Sequence, residues 1–163
     1  MTLSLLILDD EPEVRDALER DLIGVAGAIR VEVASDVADA WEVIDEIDRD
    51  GDTLAVALCD HRMPGTTGVE FLVDMMGDKR TEKTRKVLVT GQADLADTVT
   101  AVNAANLDYY MAKPWTEREL LSVVSDCLTD YIEENDLNPL PYMAIIDRVR
   151  AMTIIRDRGD LHS

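Results

Sequence analysis

A chain of 163 residues, 47% hydrophobic with only 8 Gly and 5 Pro, can bury the core of one ordinary domain with a short extension left over. Its formal net charge of -18, from 34 acidic against 16 basic residues, sets up a negative field that repels nucleic acid and anionic membrane surfaces, so neither is an expected direct partner. The two cysteines, Cys59 and Cys127, lie in apolar or helical patterns, and the N-terminus carries neither a basic residue before Arg15 nor an apolar run of signal or membrane-spanning length; together these point to the reducing cytoplasm.

The first predicted element is the apolar run 3–8, which reads as a strand buried on both faces and ends on the acidic pair Asp9 and Asp10. Pro12 suits the first turn of a helix expected over 13–23. A strand over 30–34 is followed by a helix over 36–47, with Ser35 as its expected N-cap. The third strand, 54–59, is again almost wholly apolar; it runs into Asp60 and then turns through Met63, Pro64 and Gly65 toward a helix over 68–76. A fourth strand, 86–90, ends on Thr90 and precedes a helix over 94–104. The fifth, 109–112, leads into Lys113 and a helix over 116–134, where Thr116 and Glu119 have the spacing of a capping box.

Five strand-helix units in alternation predict an α/β class: a doubly wound, flavodoxin-like sheet of five parallel strands, covered on both faces. Ligands of such sheets bind beyond the carboxyl ends of the strands. Residues 135–141, with Asn and two Pro, read as a linker, and 142–163 as an additional C-terminal amphipathic helix. Its expected apolar stripe is Tyr142, Ile145, Ile146, Val149, Met152 and Ile155. The tail also differs in charge, since residues 140–163 hold 4 basic and 3 acidic residues.

Asp9, Asp10, Asp60, Thr90 and Lys113 stand at four strand ends. If the order is 2-1-3-4-5, the three carboxylates converge on one edge, an arrangement that like-charge repulsion disfavours unless a cation neutralises it. A hard divalent ion such as Mg2+ suits carboxylate oxygens and completes its shell with phosphate oxygens. Thr90 and Lys113 then supply a hydroxyl and a point charge for transferred phosphoryl oxygens. Each residue also has an ordinary reading. Asp10 with Glu13 has capping-box-like spacing, Asp60 can cap a turn, Thr90 is a common strand residue, and a lysine before proline is usually a solvated charge. The joint placement is what favours chemistry.

These motifs, LILDDEPEV, LCDHRMPGTTGVEF, VLVTG and DYYMAKPW, resemble the receiver domain of two-component response regulators, over residues 1–134. The resemblance implies that Asp60 is the phosphoacceptor for a phosphohistidine on a sensor histidine kinase or phosphotransfer protein. It implies Mg2+ bound by Asp9, Asp10, Asp60 and the backbone carbonyl of Arg62, with Lys113 on the phosphoryl oxygens and a cis bond to Pro114. Thr90 and Tyr110 become the switch pair, while Arg62 and Gln92 take positions that tune phosphoaspartate lifetime. Tyr109 competes with Tyr110, but its place on the opposite face of the strand and the spacing to Lys113 favour Tyr110. Thr67 stands where many receivers have an acid, and Trp115 where Phe is usual. For His61 and Cys59 the structural reading is preferred.

The expected function is a phosphorylation-controlled signalling module, not an enzyme, acting through protein contacts in a phosphorelay. A homodimer is expected through the face built from 94–104 and 116–134 or through the C-terminal helix. That helix alternatively covers its own domain or leads into a further output domain. A scaffold that is never phosphorylated is the competing reading. A phosphatase of the haloacid dehalogenase type, which places an Asp-x-Asp motif after its first strand, fits less well, because Glu11 and Pro12 follow Asp10.

Overall fold

The computed structural model describes residues 1–91 and 95–159. Strands β1 (Leu3–Leu8), β2 (Arg30–Ala34), β3 (Thr53–Cys59), β4 (Arg85–Thr90) and β5 (Tyr109–Ala112) form a five-stranded sheet in the order β2-β1-β3-β4-β5. Every pairing is parallel, as the doubly wound reading requires. All six residues of β1 are buried, which is why its sequence shows no polar alternation. Its side chains nonetheless divide by parity. Leu3, Leu5 and Ile7 enter one core with residues of α1 (Pro12–Asp21) and α5 (Glu117–Glu134). Leu6 and Leu8 enter the other with α2 (Val37–Arg49), α3 (Gly68–Met75) and α4 (Leu95–Ala105).

The helix starts decide which acids are free for chemistry. Helix α1 opens with Pro12, and its N-cap, Glu11, makes no side-chain cap bond; the capping-box alternative for Asp10 and Glu13 is therefore not realised. The cap of α2 is Asp36, one residue later than the expected Ser35: its carboxylate accepts the Asp39 amide at 2.8 Å, while the Asp39 carboxylate accepts the Ser35 amide at 3.0 Å. A charged acceptor gains more than a hydroxyl from the positive end of a helix, so the aspartate takes the cap. Thr116 caps α5 as expected, accepting the Glu119 amide at 3.1 Å.

Lys86, only 1% exposed, lies at the opposite edge of the sheet from the strand carboxyl ends, with Nζ donating to the Glu82 and Thr84 carbonyls at 3.1 and 2.9 Å. Burial pulls its ammonium down to about 8 from the ordinary 10.5. Between those two values the unfolded chain holds a proton that the folded protein has released, so the stability contributed by Lys86 rises with pH across that window. Urea unfolding should accordingly show the stability of the native chain rising relative to Lys86→Met as pH climbs from about 8 toward 10.5.

An additional C-terminal helix is present, but its start departs from expectation. Among the described residues, 142–159 are not one helix: a 3-10 turn over Leu140–Tyr142 is followed by a break before α6, Arg148–Gly159, and residues 160–163 of the expected helix lie outside the described residues. The expected stripe also turns. Tyr142, Ile146 and Ala151 join the α1/α5 core, whereas Val149 and Met152 are 78% and 57% exposed. The reason is a polar clamp. The hydroxyl of fully buried Thr129 on α5 accepts the Asp147 amide at 3.0 Å, and the Asp147 carboxylate accepts the Arg150 amide at 3.1 Å, which sets where α6 starts and which side faces inward. Arg150 pairs with Asp130 at 2.7 Å, and the Arg158 guanidinium donates to the carbonyls of Leu137, Ile132 and Glu133 near the end of α5. The segment 135–141 is correspondingly an ordered connection, with Leu137 packed against the core. Ile146→Ala should lower unfolding free energy by about 2 kcal/mol in urea titrations, a loss that an undocked tail would not show.

Candidate functional site at the carboxyl edge of the sheet

Four strands deliver their following or final residues to one edge. Pairing of β1 and β3 continues one step past the strand end, where the Asp60 amide donates to the Leu8 carbonyl at 2.9 Å; this holds Asp60 beside Asp9. Both are buried, at 4% and 1% exposure. Asp9 is fixed on three sides: one carboxylate oxygen accepts the Glu11 amide at 2.9 Å, the other meets Lys113 Nζ at 2.9 Å, and its carbonyl accepts from Arg15 at 2.7 Å. Lys113 also lies 3.4 Å from Asp60 Oδ2 and 3.9 Å from Glu11. One carboxylate oxygen from each of Asp9, Asp10, Glu11 and Asp60 falls within 4.8 Å of the others.

This concentration of negative charge perturbs its members. Burial lifts the Asp9 carboxyl above its ordinary value, even though the bond from Lys113 and the Glu11 amide pull it down and the charge of Asp60 adds to the rise. Burial alone would lower Lys113, but the hydrogen bond to Asp9 and the attraction of Asp9, Asp60 and Glu11 win and hold its ammonium above the usual range. Lys113 is thus a persistent cation facing several carboxylates. The donor set is all hard oxygen in an acidic cluster short of positive charge, which fits a Mg2+ ion and does not suit a soft metal.

Beside the cluster opens a cavity of about 300 Å3 lined by Glu11, Asp60, Arg62, Thr90, Gly91 and Lys113. Thr90 is 1% exposed, and Tyr110, 44% exposed, donates its hydroxyl to the Thr90 carbonyl at 3.4 Å. Tyr109 instead packs against the α1/α5 core and reaches Asp126 at 3.5 Å. The Lys113-Pro114 peptide is cis. Of the two departures from the common motif, Thr67 caps α3 by accepting the Glu70 amide at 3.2 Å, and Trp115 donates its indole hydrogen to Asp21 at 2.9 Å. Cys59 is fully buried, and burial pushes its thiol far up. Gln92 lies outside the described residues.

Two contributors were not singled out from the sequence. Glu11 joins the acidic group; the only available signal was the third acid of the run Asp9-Asp10-Glu11. Gly68 is the other. A β-carbon there would lie 1.8 Å from the Asp60 carbonyl oxygen and 2.7 Å from its carbon. The start of α3 therefore presses directly on the backbone that carries Asp60, and the Gly68 amide donates to the His61 carbonyl at 3.0 Å.

Comparison with known proteins gives the same picture. A family model of the response regulator receiver domain matches residues 5–125. The hydrogenase transcriptional regulatory protein HoxA of Cupriavidus necator is 31% identical over 137 residues, covering 84% of this chain but 26% of that protein. Response regulator Rre1 of Synechocystis is 27% identical over 126 residues, covering 77% of this chain and 52% of its own length; the chain thus spans from about a quarter to half of these two relatives. Among solved structures, a CheY-like response regulator receiver domain protein from Methanospirillum hungatei superposes with a TM-score of 0.70 at 26% identity, over 82% of this chain and 99% of that one. With the family model spanning most of the sheet and all the strand-end motifs, this chain belongs to the response regulator receiver domain family.

Proposed function

We propose that Asp60 accepts a phosphoryl group from a phosphohistidine of a sensor histidine kinase or phosphotransfer protein, and that the modified domain signals through altered protein contacts. A carboxylate oxygen of Asp60 attacks phosphorus, the P–N bond to the donor imidazole breaks, and the electron pair returns to the ring as an acyl phosphate forms on Asp60. Asp9, Asp10, Asp60 and the Arg62 carbonyl would hold Mg2+, with Glu11 at the rim. The ion supplies charge neutralisation for phosphoryl oxygens brought next to carboxylates. Lys113 adds a fixed positive charge and Thr90 a hydroxyl donor. Arg62, which lines the cavity beside Asp60, tunes the lifetime of the acyl phosphate, a role extended to Gln92 from its place in the motif. The observation that carries this reading is Lys113 lying within 3.4 Å of buried Asp60 inside a four-carboxylate cluster.

The new group adds about two negative charges at one point, drawing Thr90 inward and leaving room for Tyr110 to follow. The output surface is then the edge formed by α4, β5 and α5, where Val99, Val102 and Tyr110 are 47%, 50% and 44% exposed. That edge, or the outer side of α6 with exposed Val149 and Met152, is the proposed homodimer contact. The chain works in the cytoplasm and without substrate turnover beyond slow loss of its own phosphoryl group. Intact-mass measurement with a small phosphodonor and Mg2+ should show one added phosphoryl group, none in Asp60→Asn and none with a chelator. An unchanged native mass favours a scaffold that is never phosphorylated.

A further inference from the structure

One buried side chain next to Asp60 takes no part in the chemistry above. His61 is 7% exposed, and its Nε2 lies 3.0 Å from Oδ2 of Asp97 in the first turn of α4. Because the carboxylate accepts, Nε2 carries the proton of this bond; Nδ1 is buried with no hydrogen-bond partner among the described residues. The one polar contact of the imidazole among those residues thus crosses to another element.

Helix α4 buries few large side chains among its described residues. Among its described residues, the buried ones are the alanines Ala101 and Ala105, while Val99 and Val102 are about half exposed. Small side chains bury little apolar area, so a polar tie from this helix to a stiff neighbouring loop weighs more in its placement. The loop end of the tether is stiff, because the His61 carbonyl is bound by the Gly68 amide and Gly68 abuts the Asp60 backbone.

We propose that the bond between His61 and Asp97 is a second route by which the state of Asp60 reaches α4, alongside Thr90 and Tyr110. His61 acts as a positioning residue: it holds the first turn of α4 against the 60–68 loop while Asp60 is unmodified. Movement of Thr90, at the end of β4, then competes with that tether for the position of α4. This rests on the phosphoacceptor reading of Asp60. By linkage, whatever the tether contributes to the resting position of α4 must be overcome by the phosphoryl group, so removing it lowers the difference between the two states.

The test is hydrogen-deuterium exchange of α4 amides in the full chain, with intact mass reporting phosphorylation in parallel. In the unmodified protein, His61→Leu and Asp97→Ala should each speed α4 exchange about three- to tenfold. The double variant should be no faster than Asp97→Ala alone, His61→Gln should restore protection through its own Nε2, and α5 should be unchanged. On phosphorylation, the native chain should show a larger rise in α4 exchange than Asp97→Ala. Unchanged α4 exchange in the single variants, additive effects in the double one, or an equal phosphorylation-linked rise in native and Asp97→Ala protein would overturn the proposal alone. A native chain that gains no phosphoryl mass would overturn the phosphoacceptor reading and this proposal with it.

Discussion

Lys113→Met should slow phosphoryl uptake from a small donor by about a hundredfold or more and weaken the fold at the same time. Two roles meet in one ammonium group. Toward the reaction it is a positive charge 3.4 Å from the Asp60 carboxylate, placed where phosphoryl oxygens would gather, and methionine keeps the length while deleting the charge. Toward the fold it is the cation bound at 2.9 Å to Asp9, whose side chain is 2% exposed. Removing one partner of a buried pair leaves the other uncompensated, a loss of about 3 to 5 kcal/mol in a dry interior. Here the Lys113 side chain is 18% exposed and Asp9 already resists ionisation, so a smaller loss of about 1 to 3 kcal/mol is expected. The two effects separate in a second variant. Adding Asp9→Asn to Lys113→Met should recover part of the stability in urea titrations, because Asp60 is then the one of the two buried carboxylates left without the ammonium, while phosphoryl uptake stays low. Recovery of both would mean that Lys113 serves only the fold.

Gly68→Ala should be the most damaging single-methyl change in the protein. A β-carbon 1.8 Å from the Asp60 carbonyl oxygen cannot be accommodated by rotating a side chain, since both partners are backbone. Either the first turn of α3 or the end of β3 must move by more than about 1 Å, roughly the scale at which misplacement of a reacting group costs a hundredfold in rate. The bond from the Gly68 amide to the His61 carbonyl would be stretched with it. We expect a stability loss of about 1 to 3 kcal/mol with a drop in phosphoryl uptake of about two orders of magnitude. Gly24→Ala, where a β-carbon meets nothing within 4 Å, is the control and should change neither. Normal phosphoryl uptake in Gly68→Ala would show that the Asp60 backbone tolerates displacement.

The sheet and its reacting edge were legible from local pattern. Runs such as Leu3–Leu8 and Thr53–Cys59 are buried along almost their whole length, and continuous apolarity is what that burial demands of a sequence. Residues directly after such strands, Asp9, Asp60 and Lys113, must emerge at the carboxyl edge once the strands are parallel. Their meeting at 2.9 and 3.4 Å depends on β1 lying beside β3 and β5 lying beyond β4, an order that chain connectivity alone leaves open.

The tail shows the opposite case. The helical period of apolar residues pointed to the stripe through Val149 and Met152, whereas the residues buried are Ala151 and Ile154. That outcome came from Thr129 and Asp147, 18 residues apart, whose bond sets the phase of α6. Gly68 against the Asp60 backbone and His61 against Asp97, 36 residues on, belong to the same class. Periodicity and strand-end chemistry are short-range properties carried by neighbours in the chain. Which surfaces touch is decided by packing between distant segments, and that information exists only once the chain is folded.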